Sequence, residues 1–290
     1  MRHSRDKRKN NPICIAGKNN VACDSLLFLA NINFIRRENI FVLPNLNDSD
    51  DNNWMRSLRK TANAMGIKVL DKIEQVYETK KLIFISLEFD QIIDINKFDS
   101  KELFNIHFSK LPAYKGTLTS VWPILNGESS TGVSLHKIDN GIDTGDIIGQ
   151  IEFQIQKKDT SRDLYFKFNK FGYKLFRKNI YKILLKRYKT KPQSCDGSSY
   201  YSRKSIDYSN LKVNLEKTAL DVHNQIRAFI FPEYQLPKVY GDSIIMSEVT
   251  KNRSRLKPGK IVSSEKRFIK VSTIDYDVIL YKKLKPNKLC

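Results

Sequence analysis

Asn105 and His107 stand two residues apart at the end of an apolar run, and Asp143 follows in the loop Gly141-Ile142-Asp143-Thr144-Gly145-Asp146. Side chains in a strand alternate between faces, so Asn105 and His107 point one way while Phe104, Ile106 and Phe108 point the other. An amide can stabilise a developing oxyanion, and an imidazole can accept a proton. A carboxylate can hold that imidazole oriented. Such a set suits acyl transfer without a covalent enzyme intermediate. The competing account is a buried strand end whose polar groups are merely satisfied.

The surroundings decide between the two. After Asn105 and His107 come Leu111-Pro112-Ala113-Tyr114-Lys115-Gly116, Asn126-Gly127, Thr131-Gly132-Val133 and Gly141-Ile142-Asp143-Thr144-Gly145. This order resembles the folate-dependent formyltransferase family, which includes glycinamide ribonucleotide, methionyl-tRNA and nucleotide-sugar N-formyltransferases. One departure is Phe108, where many members carry Pro directly after the His. Further on, Tyr201-Ser202-Arg203-Lys204-Ser205-Ile206-Asp207 and Ile226-Arg227-Ala228-Phe229, followed by Glu233-Tyr234-Gln235-Leu236-Pro237, look like the nucleotide-sugar branch.

The resemblance implies 10-formyltetrahydrofolate as formyl donor and Asn105, His107 and Asp143 as the reacting side chains. It places the pterin against Leu87, Glu88, Phe89 and Asp90 and the loop containing Asp139 and Ile142. The acceptor it implies is a nucleotide-linked amino sugar used for surface polysaccharide, first a dTDP-linked 4-amino-4,6-dideoxyglucose, with the 4-amino galactose epimer and a 3-amino isomer left open by the sequence. It also implies a cytoplasmic homodimer. Chemically, Lys18 and Asn19 of the Gly17-Lys18-Asn19-Asn20 turn can approach a sugar or phosphate. Arg227 can bind a pyrophosphate oxygen, and Phe229 or Tyr234 can cover a base. For the last two, core packing is the plain alternative. Two other functions compete: a methionyl-tRNA formyltransferase, or a non-catalytic basic nucleic-acid-binding module on the same fold.

Composition narrows the classes. Apolar residues at 40% and aromatics at 11% of 290 residues describe a chain able to bury a core, not a disordered one. Apolar runs such as Leu82-Ile83-Phe84-Ile85 are far too short for a membrane span, and the basic N-terminus lacks the apolar stretch of a secretion signal. Cys14, Cys23, Cys195 and Cys290 form no CxxC pair, so free thiols in a reducing compartment are expected, with no metal. The net charge of +20 is concentrated near the N-terminus, in an acid-free stretch from Lys167 to Lys191, and after Lys251. Such a balance favours an anionic partner, either nucleic acid or a phosphorylated small molecule. A solvated, lysine-rich face explains it equally well, and no nucleic-acid-binding signature appears.

Four elements must carry the reactive loops. Ile13–Ala16, Ile40–Leu43, Ile67–Leu70 and Leu82–Leu87 read as short apolar strands, separated by helical patterns that include Asn52–Ala64 and a polar helix around Ile73–Tyr77. That alternation predicts an α/β fold, a mainly parallel Rossmann-like sheet, with ligands beyond the C-terminal strand ends. A long helix starts at the capping-box pattern Thr160-Ser161-Arg162-Asp163. The domain plan is a basic tail at 1–12, a catalytic domain at 13–192, a linker at 193–202 and a smaller mixed α+β domain at 203–290. Within the last, Leu215–Ile230 reads as helix, and Lys260–Val262, Phe268–Val271 and Asp277–Tyr281 read as strands.

Overall fold

The computed structural model describes residues 11–284, so most of the basic tail and Cys290 lie outside the described residues. In chain order the strands begin with β1 (Ile13–Gly17), β2 (Ile40–Pro44), β3 (Lys68–Val69), β4 (Ile83–Leu87) and β5 (Glu102–His107). Then come β6 (Lys115–Gly116), β7 (Ser130–Lys137), β8 (Ile147–Gln154) and β9 (Tyr200–Tyr201). The helices are α1 (Asn19–Ala30), α2 (Leu58–Ala64), α3 (Trp122–Leu125), α4 (Ser161–Leu184) and α5 (Ala219–Phe229).

A seven-stranded sheet runs in the order β3-β2-β1-β4-β5-β7-β8. The pairs β2–β3, β1–β2, β1–β4 and β4–β5 are parallel, and β7 lies antiparallel to β5. Strand order reverses between β1 and β4, which is where a doubly wound sheet opens a crevice beyond its strand ends. The central strands β1 and β4 are buried along their whole length, as expected for a parallel sheet covered on both faces. Gly17 ends β1 at φ +145°, and a Cβ there would lie 1.8 Å from the Leu87 carbonyl oxygen, so only glycine fits beside β4.

The remaining strands form an antiparallel sheet in the order β10-β11-β14-β13-β12, made of β10 (Lys238–Val239), β11 (Asp242–Val249), β12 (Ile261–Ser264), β13 (Phe268–Val271) and β14 (Val278–Lys282). One face of this sheet and α5 enclose a core of Val222, Ile226, Ile244, Ile269, Val271, Val278 and Leu280. The fold is the expected mainly parallel α/β sheet with a smaller α+β part.

The space-filling division differs from the contiguous boundaries read along the chain. Among the described residues, one compact unit holds 11–116, 132–153 and 167–200; the other holds 117–131, 154–166 and 201–284. Two excursions, at 117–131 and 154–166, therefore belong with the C-terminal residues. Composition carries no mark of such a detour, because it reflects contacts made late in the sequence.

Local expectations fared unevenly. The capping box holds: the Thr160 N–H donates to Asp163 Oδ2 at 2.9 Å and the Asp163 N–H donates to Thr160 Oγ1 at 3.2 Å. The helix expected from Asn52 begins only at Leu58. Asp48 accepts the N–H groups of Leu58 and Arg59 and the Ser57 hydroxyl, and Ser57 caps α2. The polar residues ahead of it are used in that loop and make no helix. Similarly, Ile73–Val76 is a short 3-10 turn, and the third strand shrinks to Lys68–Val69.

Phe108, the departure noted above, is buried and stacks on Phe168 of α4, with ring centroids 5.3 Å apart and planes 9° apart. Gly172, one turn along α4, leaves room for that ring, since a Cβ there would stand 3.2 Å from Phe108 Cε1. Phe108 thus supports His107 from the opposite strand face. Replacing Phe108 with Ala should lower stability by about 3 kcal/mol, measured as a drop in the urea midpoint at unchanged slope.

Candidate active site

The antiparallel partner of β5 brings a residue into the site that spacing alone does not reveal. Asn105 pairs with His136 and His107 with Ser134, so His136 stands on the same face as the amide it opposes. Asp143 reaches this face from the loop after β7. Gly145 makes the loop possible, because a Cβ at that position would lie 1.9 Å from the Lys137 carbonyl oxygen.

Asp143 is the hub. Its Oδ2 lies 3.4 Å from His107 Nδ1 and accepts the Gly116 N–H at 2.9 Å. Its Oδ1 accepts from Asn105 Nδ2 at 3.2 Å and lies 3.5 Å from His136 Nε2. Burial alone would raise this carboxyl. The facing imidazoles of His107 and His136 and the Gly116 N–H outweigh it and hold Asp143 well below the usual carboxylate range.

His107 is buried, and its Nε2 lies 2.8 Å from the Tyr114 carbonyl oxygen, which can only accept, so Nε2 carries a hydrogen. Burial lowers the pKa of His107 below its ordinary value, against the opposing pull of Asp143 and the Tyr114 carbonyl; His136 lowers it further. Near pH 7 the ring is therefore neutral, and its Nδ1 offers a lone pair beside a carboxylate. At 3.4 Å that contact is too long for a hydrogen bond, consistent with two acceptors facing each other.

His136 Nδ1 donates to the Lys137 carbonyl at 2.7 Å, and its Nε2 accepts from Asn105 Nδ2 at 3.2 Å. Asn105 thereby divides its two amide hydrogens between Asp143 and His136. The amide expected to point freely at an oxyanion is tied in this arrangement. It must release one partner to stabilise new charge.

The other residues singled out from sequence are spread through the fold. The ends of β1, β2 and β4 are laced together: the Lys18 N–H donates to the Leu87 carbonyl, Asn19 Nδ2 to Glu88 Oε2 at 3.4 Å, and Asn45 Nδ2 to the Glu88 carbonyl at 2.9 Å. Asn19 (φ 62°), Glu88 (φ 60°), Tyr114 (φ 59°) and Asp143 (φ 56°) all adopt the left-handed region, a concentration of backbone strain typical of functional loops. Leu87 is buried within β4, Phe89 packs edge-on to Phe84, and Asp90 is exposed. Asp139 shapes its own loop by accepting from the Gly141 N–H and the Thr144 hydroxyl. Ile142 is 43% exposed and presents an apolar surface beside Asp143.

Arg227, Phe229 and Tyr234 lie in the second unit. Arg227 is only 7% exposed, and its guanidinium donates to Asn224 Oδ1 at 3.0 Å and to the carbonyls of Asp159 and Gln156. It works as a strut that ties the 156–159 turn to α5. Phe229 is buried and packs in the core. Tyr234 is 64% exposed and rests at an angle on Phe231. Among the described residues no group of three or more His, Cys, Asp or Glu is placed to hold a metal ion. Burial pushes the Cys23 thiol up to about 11 and keeps it protonated.

The sheet order, with an amide and an imidazole at the end of β5 and a half-buried carboxylate from the loop after β7, is an arrangement suited to acyl transfer. Residues 87–180 match the formyl transferase family. The methionyl-tRNA formyltransferase of Clostridium beijerinckii is 31% identical over 228 residues, which are 75% of this chain and 71% of that protein. The chain belongs to the formyl transferase family. Among solved structures, WlaRD, a sugar 3N-formyl transferase in the presence of dTDP and 5-N-formyl-THF, is 46% identical, covering 96% of this chain and 99% of that one, with a TM-score of 0.89. The N-formyltransferase from Helicobacter canadensis, in complex with folinic acid and dTDP-3-aminofucose, is 45% identical over 94% of this chain and 100% of that one, with a TM-score of 0.88.

The site's electrostatics give a testable consequence. Because His107 sits below its ordinary value, its imidazole should titrate below pH 6.5 in ¹⁵N-histidine NMR spectra of the ligand-free protein. Asp143 raises that value, so Asp143→Asn should move the titration lower still. A His107 midpoint that rises in Asp143→Asn would contradict the assigned charges.

Proposed function

We propose that this protein transfers the formyl group of 10-formyltetrahydrofolate to the amine of a dTDP-linked amino-dideoxyhexose. The observation that carries this reading is the end-to-end likeness, at 45–46% identity, to two sugar N-formyltransferases, combined with the grouping of Asn105, His107 and Asp143. Folate is a substrate here, consumed in the reaction. The loops holding Glu88, Phe89, Asp90, Asp139 and Ile142 are its proposed cradle, with Ile142 the exposed apolar surface for its ring. Lys18 and Asn19 remain the proposed contacts for the acceptor.

The chemistry follows from the site. The neutral sugar amine attacks the formyl carbon, forming a C–N bond and a tetrahedral oxyanion with a positive nitrogen. His107 Nδ1 takes the proton from that nitrogen, and the adjacent Asp143 carboxylate stabilises the resulting imidazolium. The oxyanion draws an Asn105 N–H away from one of its two present partners. The C–N10 bond then breaks as the His107 imidazolium passes its proton to N10, giving the N-formylated sugar and tetrahydrofolate and restoring the neutral imidazole.

The position of the amine differs from the one expected above. Both near neighbours carry 3-amino chemistry in what they are named or bound to, so the proposed acceptor is a dTDP-3-amino-3,6-dideoxyhexose and not the 4-amino-4,6-dideoxyglucose. The product would feed surface-polysaccharide assembly in the cytoplasm. An assay across dTDP-linked 3-amino and 4-amino sugars with 10-formyltetrahydrofolate should show turnover chiefly on the 3-amino series. Preference for the 4-amino sugars would overturn the regiochemistry, and formylation of methionyl-tRNA alone would overturn the sugar reading. His107→Ala should lose roughly hundredfold or more in kcat.

Assembly as a homodimer is part of the proposal. The outward face of the C-terminal sheet carries Met246 opposite Tyr281 and Tyr281 opposite Phe268, an apolar row across three strands. Met246 is 47% exposed, and such a face is a candidate for self-association. Light scattering at micromolar concentration should report twice the chain mass, and Met246→Glu with Phe268→Glu should give the monomer.

A further inference from the structure

Asp143 and Tyr114 both sit in the left-handed region, and one segment beyond α4 holds the backbone of each. Gln193 Nε2 donates to the Asp143 carbonyl and to the Gly145 carbonyl, both at 2.8 Å. Six residues on, Ser199 Oγ accepts the Tyr114 N–H at 2.8 Å, and the Ser199 carbonyl accepts the Lys115 N–H at 2.8 Å. Tyr114 is the residue whose carbonyl fixes His107 Nε2. Residues 193–199, which composition marks as a polar linker, therefore strap down the supports of both the imidazole and the carboxylate.

From this geometry we infer that Gln193 is a positioning residue for formyl transfer, acting through Asp143. Its two hydrogen bonds fix the left-handed turn that aims the carboxylate at His107. The Gln193 oxygen is buried and takes no hydrogen bond among the described residues, so the amide is oriented by its nitrogen alone. An amide placed only to fill space would satisfy both ends. The amide's function is donation to two carbonyls, and side-chain size matters little. Without the donors the loop can relax, the carboxylate turns from His107, and the imidazole loses the interaction that raises its affinity for a proton.

This inference rests on the formyl-transfer reading for its kinetic consequence only. The test compares Gln193→Met, which keeps the length without donors, with Gln193→Lys, which restores donors of similar reach. In Gln193→Met, kcat should fall about 10- to 100-fold, as for a small misplacement of a reacting group. The KM values of both substrates and the thermal midpoint should stay near those of the parent. In ¹⁵N-histidine spectra of the ligand-free protein, the His107 titration should move to lower pH. Gln193→Lys should recover most of kcat and return the titration toward the parent. Parent-like kcat and titration in Gln193→Met would overturn the inference. So would a loss of kcat, KM and thermal midpoint together with an unmoved His107 titration, which marks general loosening. If the parent protein transfers no formyl group to any sugar, the NMR titration still reads the positioning effect, so the two failures are distinguishable.

Discussion

A carboxylate buried between two imidazoles is the constraint on which the rest of this site depends. Asp143 is charged where burial opposes charge: Asn105 Nδ2 and the Gly116 N–H donate to it, and the facing imidazoles of His107 and His136 favour its charged form further whenever they carry a second proton. Each of those partners is delivered by a different piece of the fold. β5 supplies Asn105 and His107, the antiparallel β7 supplies His136, and the turn after Tyr114 supplies the Gly116 amide. A one-residue slip between β5 and β7 would turn His136 away and leave Asn105 facing the opposite side chains. The switch from parallel to antiparallel pairing at this edge is thus tied directly to the chemistry.

Charge placement at the hub also explains why the site can work near neutral pH. A protonated His107 would hold its proton against the carboxylate as an ion pair and could not accept one from an amine. Burial lowers the affinity of the ring for a proton, and Asp143 restores part of it. The balance leaves a neutral base whose conjugate acid already has a counter-ion waiting. Moving the carboxylate even slightly alters both halves of that balance, so the segments that fix its backbone matter as much as the side chains that touch it.

Much of this was legible in the chain. The period-two pattern around Asn105 and His107, the strand-to-loop transitions after β1, β4 and β5, and the capping box of α4 all rest on local rules, and the structure follows them. What escaped depended on partners distant in sequence. His136 lies in a strand whose alternation of Ser134 and His136 could be read. Nothing local, however, shows that its neighbour is β5 or that it runs antiparallel. Gln193 falls in a stretch that composition marks as linker, and its donors matter only because a loop fifty residues earlier returns to meet it. The second unit shows the same dependence on distant partners. Arg227 carries the chemistry of a phosphate ligand, but the carbonyls of Gln156 and Asp159, contributed by an excursion of the chain, occupy its guanidinium.

Left-handed backbone at Asn19, Glu88, Tyr114 and Asp143 costs on the order of 1–3 kcal/mol at each non-glycine position. A sequence could avoid that cost by placing glycine at these positions, as it does at Gly17 and Gly116. It does not at Asp143, because the same residue must supply the carboxylate. Nor can it at Glu88 without losing the acceptor that Asn19 uses. Side-chain chemistry and backbone geometry compete for the same positions, and the structure resolves the competition with hydrogen bonds from outside the loops: Asn45 to the Glu88 carbonyl, Ser199 to the Tyr114 amide, Gln193 to the Asp143 carbonyl. Those three donors and acceptors are polar residues that a pattern of apolar spacing assigns to loops. Their positions follow from where the strained residues must be, and that becomes visible only once the strands are assembled.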